Sequence, residues 1–427
     1  MAVRTPVATT IERPALPIGE VDVRRAQARP TGVPEFDRVL GGGLVPGGVV
    51  LVAGEPGIGK STLLLDVAAR AARTRTDEGV EGSERRVLYI SGEESAAQVR
   101  TRAERIEAMA RTLYLASETD LGTVLAQIDQ LAPELVVVDS VQTIASSEIE
   151  GSAGNVAQVR EVAASLIQVA KSRGIAVLLV GHVTKDGSIA GPRVLEHLVD
   201  VVVAFEGDRH SRLRLVRAVK NRFGPTDEVG CFDLSDVGIV GLADPSALFL
   251  STRTAAVAGT CVTVTLEGRR PLVTEVQALV AKSAIPTPRR ATSGLDSARV
   301  NMILAVLDKR ASAPIRDQDA YLSTVGGVRL TEPAADLAIG LALASAILDR
   351  PLPMGTIAFG EIGLAGEVRP VTGAHRRLAE AARLGFRRAI VPPGVLGGGP
   401  VPDGIAVVEA PTLTEAVGRG LHGSTTA

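Results

Sequence analysis

Eight consecutive residues, Gly54-Glu55-Pro56-Gly57-Ile58-Gly59-Lys60-Ser61, constrain this chain more than any others. They fit the spacing G-x-x-x-x-G-K-[ST] and lie between an apolar run at residues 49–53 and a stretch from Thr62 to Ala69 that patterns as a helix. A strand that turns through glycines straight into a helix aims its backbone N–H groups inward, and the helix N-terminus adds partial positive charge. The result is a cradle for a phosphate chain. In that context Gly54, Glu55, Pro56, Gly57, Ile58, Gly59, Lys60, Ser61 and Thr62 are expected to surround a nucleoside triphosphate. Lys60 would reach the β- and γ-phosphates and Ser61 would hold Mg²⁺, so ATP and Mg²⁺ are the expected cofactors.

Around this loop, Val/Ile/Leu runs at residues 49–53, 87–90, 135–138, 175–180 and 201–205 alternate with amphipathic stretches, the clearest running from Asn155 to Arg173 and stopping at Gly174. Unbroken apolar runs suit strands buried on both faces of a parallel sheet. Their alternation with helices predicts an α/β domain over residues 31–253, with its ligand at the carboxyl ends of the strands. Beyond Phe232 the texture changes. Residues 262–266 and 272–280 alternate like half-exposed strands, Pro286-Thr287-Pro288-Arg289-Arg290 interrupts, and helical patterns follow at 295–310 and 334–349. Thr331 and Pro333 precede the last helix and Pro351 follows it. An α+β domain over residues 254–427 is expected, with the boundary near Thr254. Residues 1–30, rich in Pro, Ala, Arg and Thr, read as a flexible arm, and residues 423–427 as a frayed tail.

At 427 residues, 45% apolar and 22% charged, the chain is expected to fold as two or three domains. The N-terminal stretch holds no apolar core of signal-peptide length. The most apolar helix pattern is short and broken by Asp336, Gly340 and Ser345, so no membrane span is expected. Two distant cysteines, Cys231 and Cys261, support neither a disulfide framework nor a zinc site. A cytoplasmic protein with two buried, reduced thiols is expected. A net charge of −2 excludes a globally basic nucleic-acid binder and leaves such contacts to local loops.

Three further segments carry candidate chemistry. The run Leu135-Val136-Val137-Val138 ends in Asp139, where an acid would orient Mg²⁺ beside the phosphates. Hydrolysis also needs a group within hydrogen-bond reach of the attacking water. In Ser91-Gly92-Glu93-Glu94-Ser95, Glu93 is the first candidate and Glu94 the second, although both could simply open the next helix, where acids suit the dipole. His182, just past the run at 175–180, is placed to sense the γ-phosphate as a hydrogen-bond donor. Lys220-Asn221-Arg222-Phe223-Gly224 puts two cations on a tight turn. By pattern alone Lys220 and Arg222 are either fingers that neutralise charge on phosphate or part of a solvated basic turn continuing Arg209, Arg212, Arg214 and Arg217.

Several of these segments together resemble the bacterial RadA/Sms DNA repair ATPases, which have a RecA-like core. They are Thr31-Gly32 with Glu35-Phe36-Asp37-Arg38-Val39-Leu40-Gly41-Gly42-Gly43, the phosphate loop, Ser91 to Ser95, Gly181-His182-Val183-Thr184-Lys185-Asp186-Gly187, and Lys220 to Gly224. The resemblance runs from about Thr31 to the C-terminus. It implies a DNA-dependent ATPase that forms a homohexameric ring on single-stranded or branched DNA. Such a ring drives branch migration alongside a strand-exchange recombinase. Lys220 and Arg222 would reach the nucleotide of the adjacent subunit. Two loops, 146–155 and 184–193, would face the DNA channel, with Lys185 and Arg193 as phosphate ligands.

The C-terminal region resembles the proteolytic domain of Lon-type proteases. Ala334 stands where the nucleophilic serine belongs and His375 where the lysine base belongs, which implies a proteolytically inactive scaffold for oligomerisation and DNA binding. Arg376, Arg377, Arg383, Arg387 and Arg388 are its candidate DNA contacts. The family's usual N-terminal zinc finger has no match here, since no cysteine precedes Cys231. No zinc is expected, and the recombinase contact made by that finger is not carried over. Two other classes remain as alternatives, a regulatory ATPase that signals through protein partners and an ATP-dependent protease, the latter disfavoured by Ala334.

Overall fold

The computed structural model describes residues 15, 17–20, 27–74, 84–182, 192–207, 212–235, 237–250, 255–311 and 313–421. Two large sheets organise the chain. The first is nine-stranded in the order β3-β2-β4-β5-β1-β6-β7-β8-β9. Its strands are β1 (Val49–Gly54), β2 (Val87–Ser91), β3 (Leu113–Ser117), β4 (Leu135–Asp139), β5 (Ala176–His182), β6 (Val201–Glu206), β7 (Leu213–Asn221), β8 (Val229–Ser235) and β9 (Gly238–Gly241). β3 to β6 in that order are all parallel, and β7 to β9 add antiparallel hairpins at the far edge.

The apolar runs are continuous because alternate residues serve two cores. Val50, Val52, Tyr89, Leu135 and Val137 pack on α1 (Pro34–Leu40), α2 (Lys60–Arg73) and α3 (Ala96–Arg105). Val49, Leu51, Leu88, Ile90, Val136 and Val138 pack on the opposite layer of α4 (Leu121–Leu131), α5 (Val156–Arg173) and the short α6 (Pro192–Leu195). The α5 boundaries match its capping residues. The Asn155 side chain accepts from Ala157 N, and Gly174 closes the helix at φ 69°.

The edge strand β3 and the antiparallel strands β7 to β9 were not anticipated. β3 is an edge strand with exposed positions, so its apolar signal is diluted. β7 was masked by its cations. Arg214 is buried, with Nε donating to Ile58 O at 3.1 Å, and Arg217 pairs with Glu206 and Glu267. This is therefore a strand of packed and paired arginines, not a solvated basic turn. Lys220 and Asn221 end β7, and the turn begins only at Arg222.

The second sheet has the order β12-β13-β11-β10-β14-β17-β18. Its strands are β10 (Thr260–Glu267), β11 (Arg270–Lys282), β12 (Arg290–Ser293), β13 (Gln318–Thr324), β14 (Thr356–Ala358), β17 (Arg388–Val391) and β18 (Ala406–Glu409), with a separate pair β15 (Glu361–Ile362) and β16 (Val368–Arg369). α7 (Ser297–Arg310), α8 (Asp336–Leu348) and α10 (Leu413–Leu421) cover one face, and α9 (Ala374–Arg383) the other. α8 is buried on every side from Asp336 to Ser345, as expected of a helix apolar all round. The expected α/β region followed by an α+β region is what the chain forms. The expected boundary at Thr254 falls outside the described residues.

A buried ion pair joins the two halves. Arg270, at the start of β11, binds Glu35 of α1 and donates to Leu242 O and Ala243 O, both at 2.8 Å. Both cysteines are free and buried.

Candidate active site

Parallel register assembles the site. Gly54 lies beside His182, and Ser91 beside Asp139, so the ends of β1, β2, β4 and β5 form one edge. From Gly54 the chain turns through Gly57 (φ 77°) and Gly59 (φ 113°) into α2, a left-handed course that side chains resist. A Cβ on Gly54 would lie 2.6 Å from Phe205 O. Glu55, Pro56 and Gly57 are exposed, Ile58 is buried, and Ser61 and Thr62 are half-buried at the start of α2.

Lys60 is buried, and its Nζ donates to Gly54 O and Glu55 O at 2.8 Å each. Burial lowers its pKa to about 8, while the negative charges of Asp139, Glu93 and Glu55 oppose the fall.

The two glutamates separate clearly. Glu94 turns back to Arg102 of α3 at 2.8 Å, and its backbone closes a turn with the Ser91 hydroxyl. Glu93 faces the strand ends. Its Oε1 accepts from Ser140 Oγ at 2.6 Å and meets His182 Nε2 at 2.9 Å. The hydrogen bond from His182, opposed by partial burial and reinforced by Ser140, holds Glu93 down to about 2. Gly92 makes this turn possible, because a Cβ there would sit 2.1 Å from Thr143 Oγ1. His182 was expected to present a donor to phosphate. Instead it pairs with Glu93, because its strand end lies across the cleft from the β2 turn. Ser140 and Tyr89 were missed, for nothing local marks either. Tyr89 Oη donates to Asp139 Oδ2 at 2.6 Å, and Asp139 Oδ1 is buried with no hydrogen-bond partner among the described residues.

Lys220 and Arg222 lie elsewhere. Lys220 Nζ donates to Glu196 O at 2.7 Å and Val199 O at 2.8 Å, and Arg222 Nη1 donates to Asp200 Oδ1 at 3.1 Å. Buried Asp200 also accepts from Val49 N at 3.1 Å and Lys171 Nζ at 2.9 Å. Val49 begins β1 and Gly54 ends it, so the motif sits at the opposite end of a strand roughly 17 Å long. It does not meet its own chain's phosphate loop. It packs on the Gly41 turn, where Asn221 Nδ2 donates to Leu40 O at 3.3 Å.

Of the two loops expected to meet DNA, 146–155 is pinned at its base by Gln158, whose amide bonds Ser146 N, Ser146 O, Ile149 O and Gly151 O. It carries Glu148 and Glu150 and no lysine or arginine. Lys185 lies outside the described residues, as does the Arg193 side chain. Arg209 lies outside them too.

In the second domain, Ala334 is fully buried in a 3₁₀ turn (Pro333–Ala335) before α8, and His375 is exposed on α9. Arg377, a candidate DNA contact, is wholly buried. Its guanidinium pairs with Glu332, donates to Thr372 O at 3.0 Å and lies 5.8 Å over the Phe359 ring. The inward stripe of α9 carries it away from solvent, so it cannot serve DNA. Arg376 and Arg387 are exposed, Arg383 pairs with Glu380 and Asp244, and Arg388 donates to Arg419 O.

A family model described as an AAA domain matches residues 12–188, and one described as subunit ChlI of Mg-chelatase matches residues 326–394. The "DNA repair protein RadA" of Mycolicibacterium smegmatis is 58% identical over 97% of this chain and 87% of its own length. The protein of the same name from Mycobacterium tuberculosis is 57% identical over 94% of this chain and 82% of its own. That from Bacillus subtilis is 46% identical over 97% and 88%. Among solved structures, a KaiC-like protein of Pyrococcus horikoshii aligns at 19% identity and a TM-score of 0.40, covering 51% of this chain and 99% of that one. Among the described residues, no helix is long and apolar enough to cross a membrane, and no group of three or more His, Cys, Asp or Glu side chains could hold a metal ion.

Proposed function

Because the chain belongs to the family of DNA repair protein RadA, with a RecA-like ATPase domain and a Lon-like second domain, we propose that it is a DNA-stimulated ATPase of recombinational repair. It works as a homohexameric ring on single-stranded or branched DNA and promotes branch migration. The observation that carries this reading is the convergence of Lys60, Glu93 and Asp139 at one sheet edge while Lys220 and Arg222 stand at the other end of β1.

In this reading Lys60 counters the charge of the β- and γ-phosphates, cradled by Gly54 to Thr62. Ser61 and Asp139 would hold Mg²⁺, and the bare, buried Oδ1 of Asp139 fits that duty. When bound, the ion neutralises charge on the phosphate oxygens. Both hydrogen bonds to Glu93 land on Oε1. That leaves Oε2 to orient the attacking water. Glu94 has a structural role in α3. His182 holds Glu93 and, as the last residue of β5, precedes in sequence the segment 184–193 with Lys185 and Arg193, the proposed DNA phosphate ligands.

Lys220 and Arg222 act on a neighbouring subunit's nucleotide, which makes turnover depend on ring assembly. Residues 31–253 are assigned to the motor and 254–427 to an inactive, Lon-like scaffold. Loop 146–155, lacking cations, would meet DNA only through backbone amides and hydroxyls.

Steady-state ATP hydrolysis with and without single-stranded DNA, at low and at raised salt, tests the proposal. Stimulation that fades as salt rises is expected of phosphate contacts. Basal turnover untouched by DNA would favour a regulatory ATPase that signals to protein partners such as a strand-exchange recombinase.

A further inference from the structure

Tyr89 lies fully buried in β2, on the α2/α3 face, among Leu65, Val99, Ala103 and Leu113. Val87 precedes it on the same face and Val137 lies across from it on β4. Phenylalanine would fill the same volume. A buried phenol needs a hydrogen-bond partner, however, and this one reaches the Asp139 carboxylate. The phenol donates to Asp139 Oδ2 at 2.6 Å and the carboxylate accepts. The two oxygens of Asp139 are thereby made unequal. Oδ2 is occupied by Tyr89, and Oδ1 is buried and bare among the described residues.

We propose that Tyr89 is a positioning residue for the nucleotide's magnesium ion: its hydroxyl occupies Asp139 Oδ2, stops the carboxylate from rotating, and reserves Oδ1 for the ion or its water. This rests on reading Asp139 as the residue that serves Mg²⁺. Partners that orient a metal ligand from behind contribute to affinity although they never touch the ion. The neighbouring strand supplies that partner here because parallel register sets Tyr89 opposite Val137, two residues before Asp139.

The test uses the full-length chain and a fluorescent ATP analogue, titrated without and with Mg²⁺. Tyr89→Phe should leave metal-free affinity within about twofold of the parent and raise the half-saturating Mg²⁺ concentration by about tenfold or more. Normal Mg²⁺ dependence in a folded Tyr89→Phe protein overturns the proposal. Asp139→Asn separates the two ideas. If it keeps the full Mg²⁺-dependent gain, the reading of Asp139 itself has failed and the Tyr89 role falls with it. If it loses the gain while Tyr89→Phe keeps it, only the positioning role is wrong.

Should the variant not fold, the parent chain supplies a second readout. It has three tyrosines, and only Tyr89 among them is fully buried. Adding Mg²⁺ to the nucleotide complex should change the ultraviolet difference spectrum of a buried tyrosine, and the change should be absent when Mg²⁺ is added without nucleotide. No change in the complex counts against the proposal.

Discussion

Within the cleft, individual residues divide by what their partners leave free. Among the described residues Lys60 has no carboxylate bonded to it, only loop carbonyls, which a phosphate can displace. Lys60→Ala should therefore abolish turnover and weaken ATP binding, measured by calorimetry. The amine titrates near 8 because burial disfavours its charge. Phosphate binds the protonated form, so affinity for metal-free ATP should be highest below pH 8. It should fall by up to about tenfold per pH unit above it, until the pKa of the complex is reached. A flat profile between pH 7 and 9.5 would contradict this. Glu93→Gln should lower turnover by about 10²–10⁴-fold with ATP binding retained. Glu94→Gln should cost little turnover, since Glu94 faces Arg102. Equal losses in the two variants would sink the assignment.

Among the elements, the short turns after the strands hold the chemistry and tolerate least. Gly92 approaches Thr143 so closely that Gly92→Ala must move the chain bearing Glu93. Turnover should drop while KM for ATP changes little, because the phosphate loop is a different turn. These turns were legible as glycine-rich motifs. Their partners were not, because Ser140 and Thr143 come from the segment after β4 and His182 from the end of β5. The β7 strand shows the converse difficulty. Arg212, Arg214, Arg217 and Lys220 look solvated in one dimension, yet they are anchored by Asp233, Ile58 O, Glu206 with Glu267, and Glu196 O with Val199 O.

For the whole molecule, the question is how the two sheets are joined and what the proposed ring would require. Arg270 and Glu35 are both buried, and Glu35 also accepts from Cys231 N at 2.9 Å. Removing one charge leaves the other uncompensated, so Arg270→Ala should destabilise the fold by about 3–5 kcal/mol. Urea unfolding followed by circular dichroism would measure it, and a loss below about 1 kcal/mol would deny the pair that role. Under the proposed ring assembly, Lys220→Ala should keep ATP binding but lose hydrolysis. Retained turnover would exclude a finger acting between subunits.

What the sequence determined by itself was whatever the chain writes locally. The phosphate loop, the both-faces-buried strands, the caps of α5 and the family motifs depend on neighbours a few residues away, and all could be read in order. The tertiary structure alone turned Glu93 to Ser140 and His182 and Glu94 to Arg102, set Lys220 and Arg222 at the far end of β1, withdrew Arg377 from the surface, and gave Asp139 its tyrosine. The burial of Arg377 depends on which face of α9 packs inward, and the others depend on strand register between segments tens of residues apart. A shift of one residue there would turn every side chain to the other face.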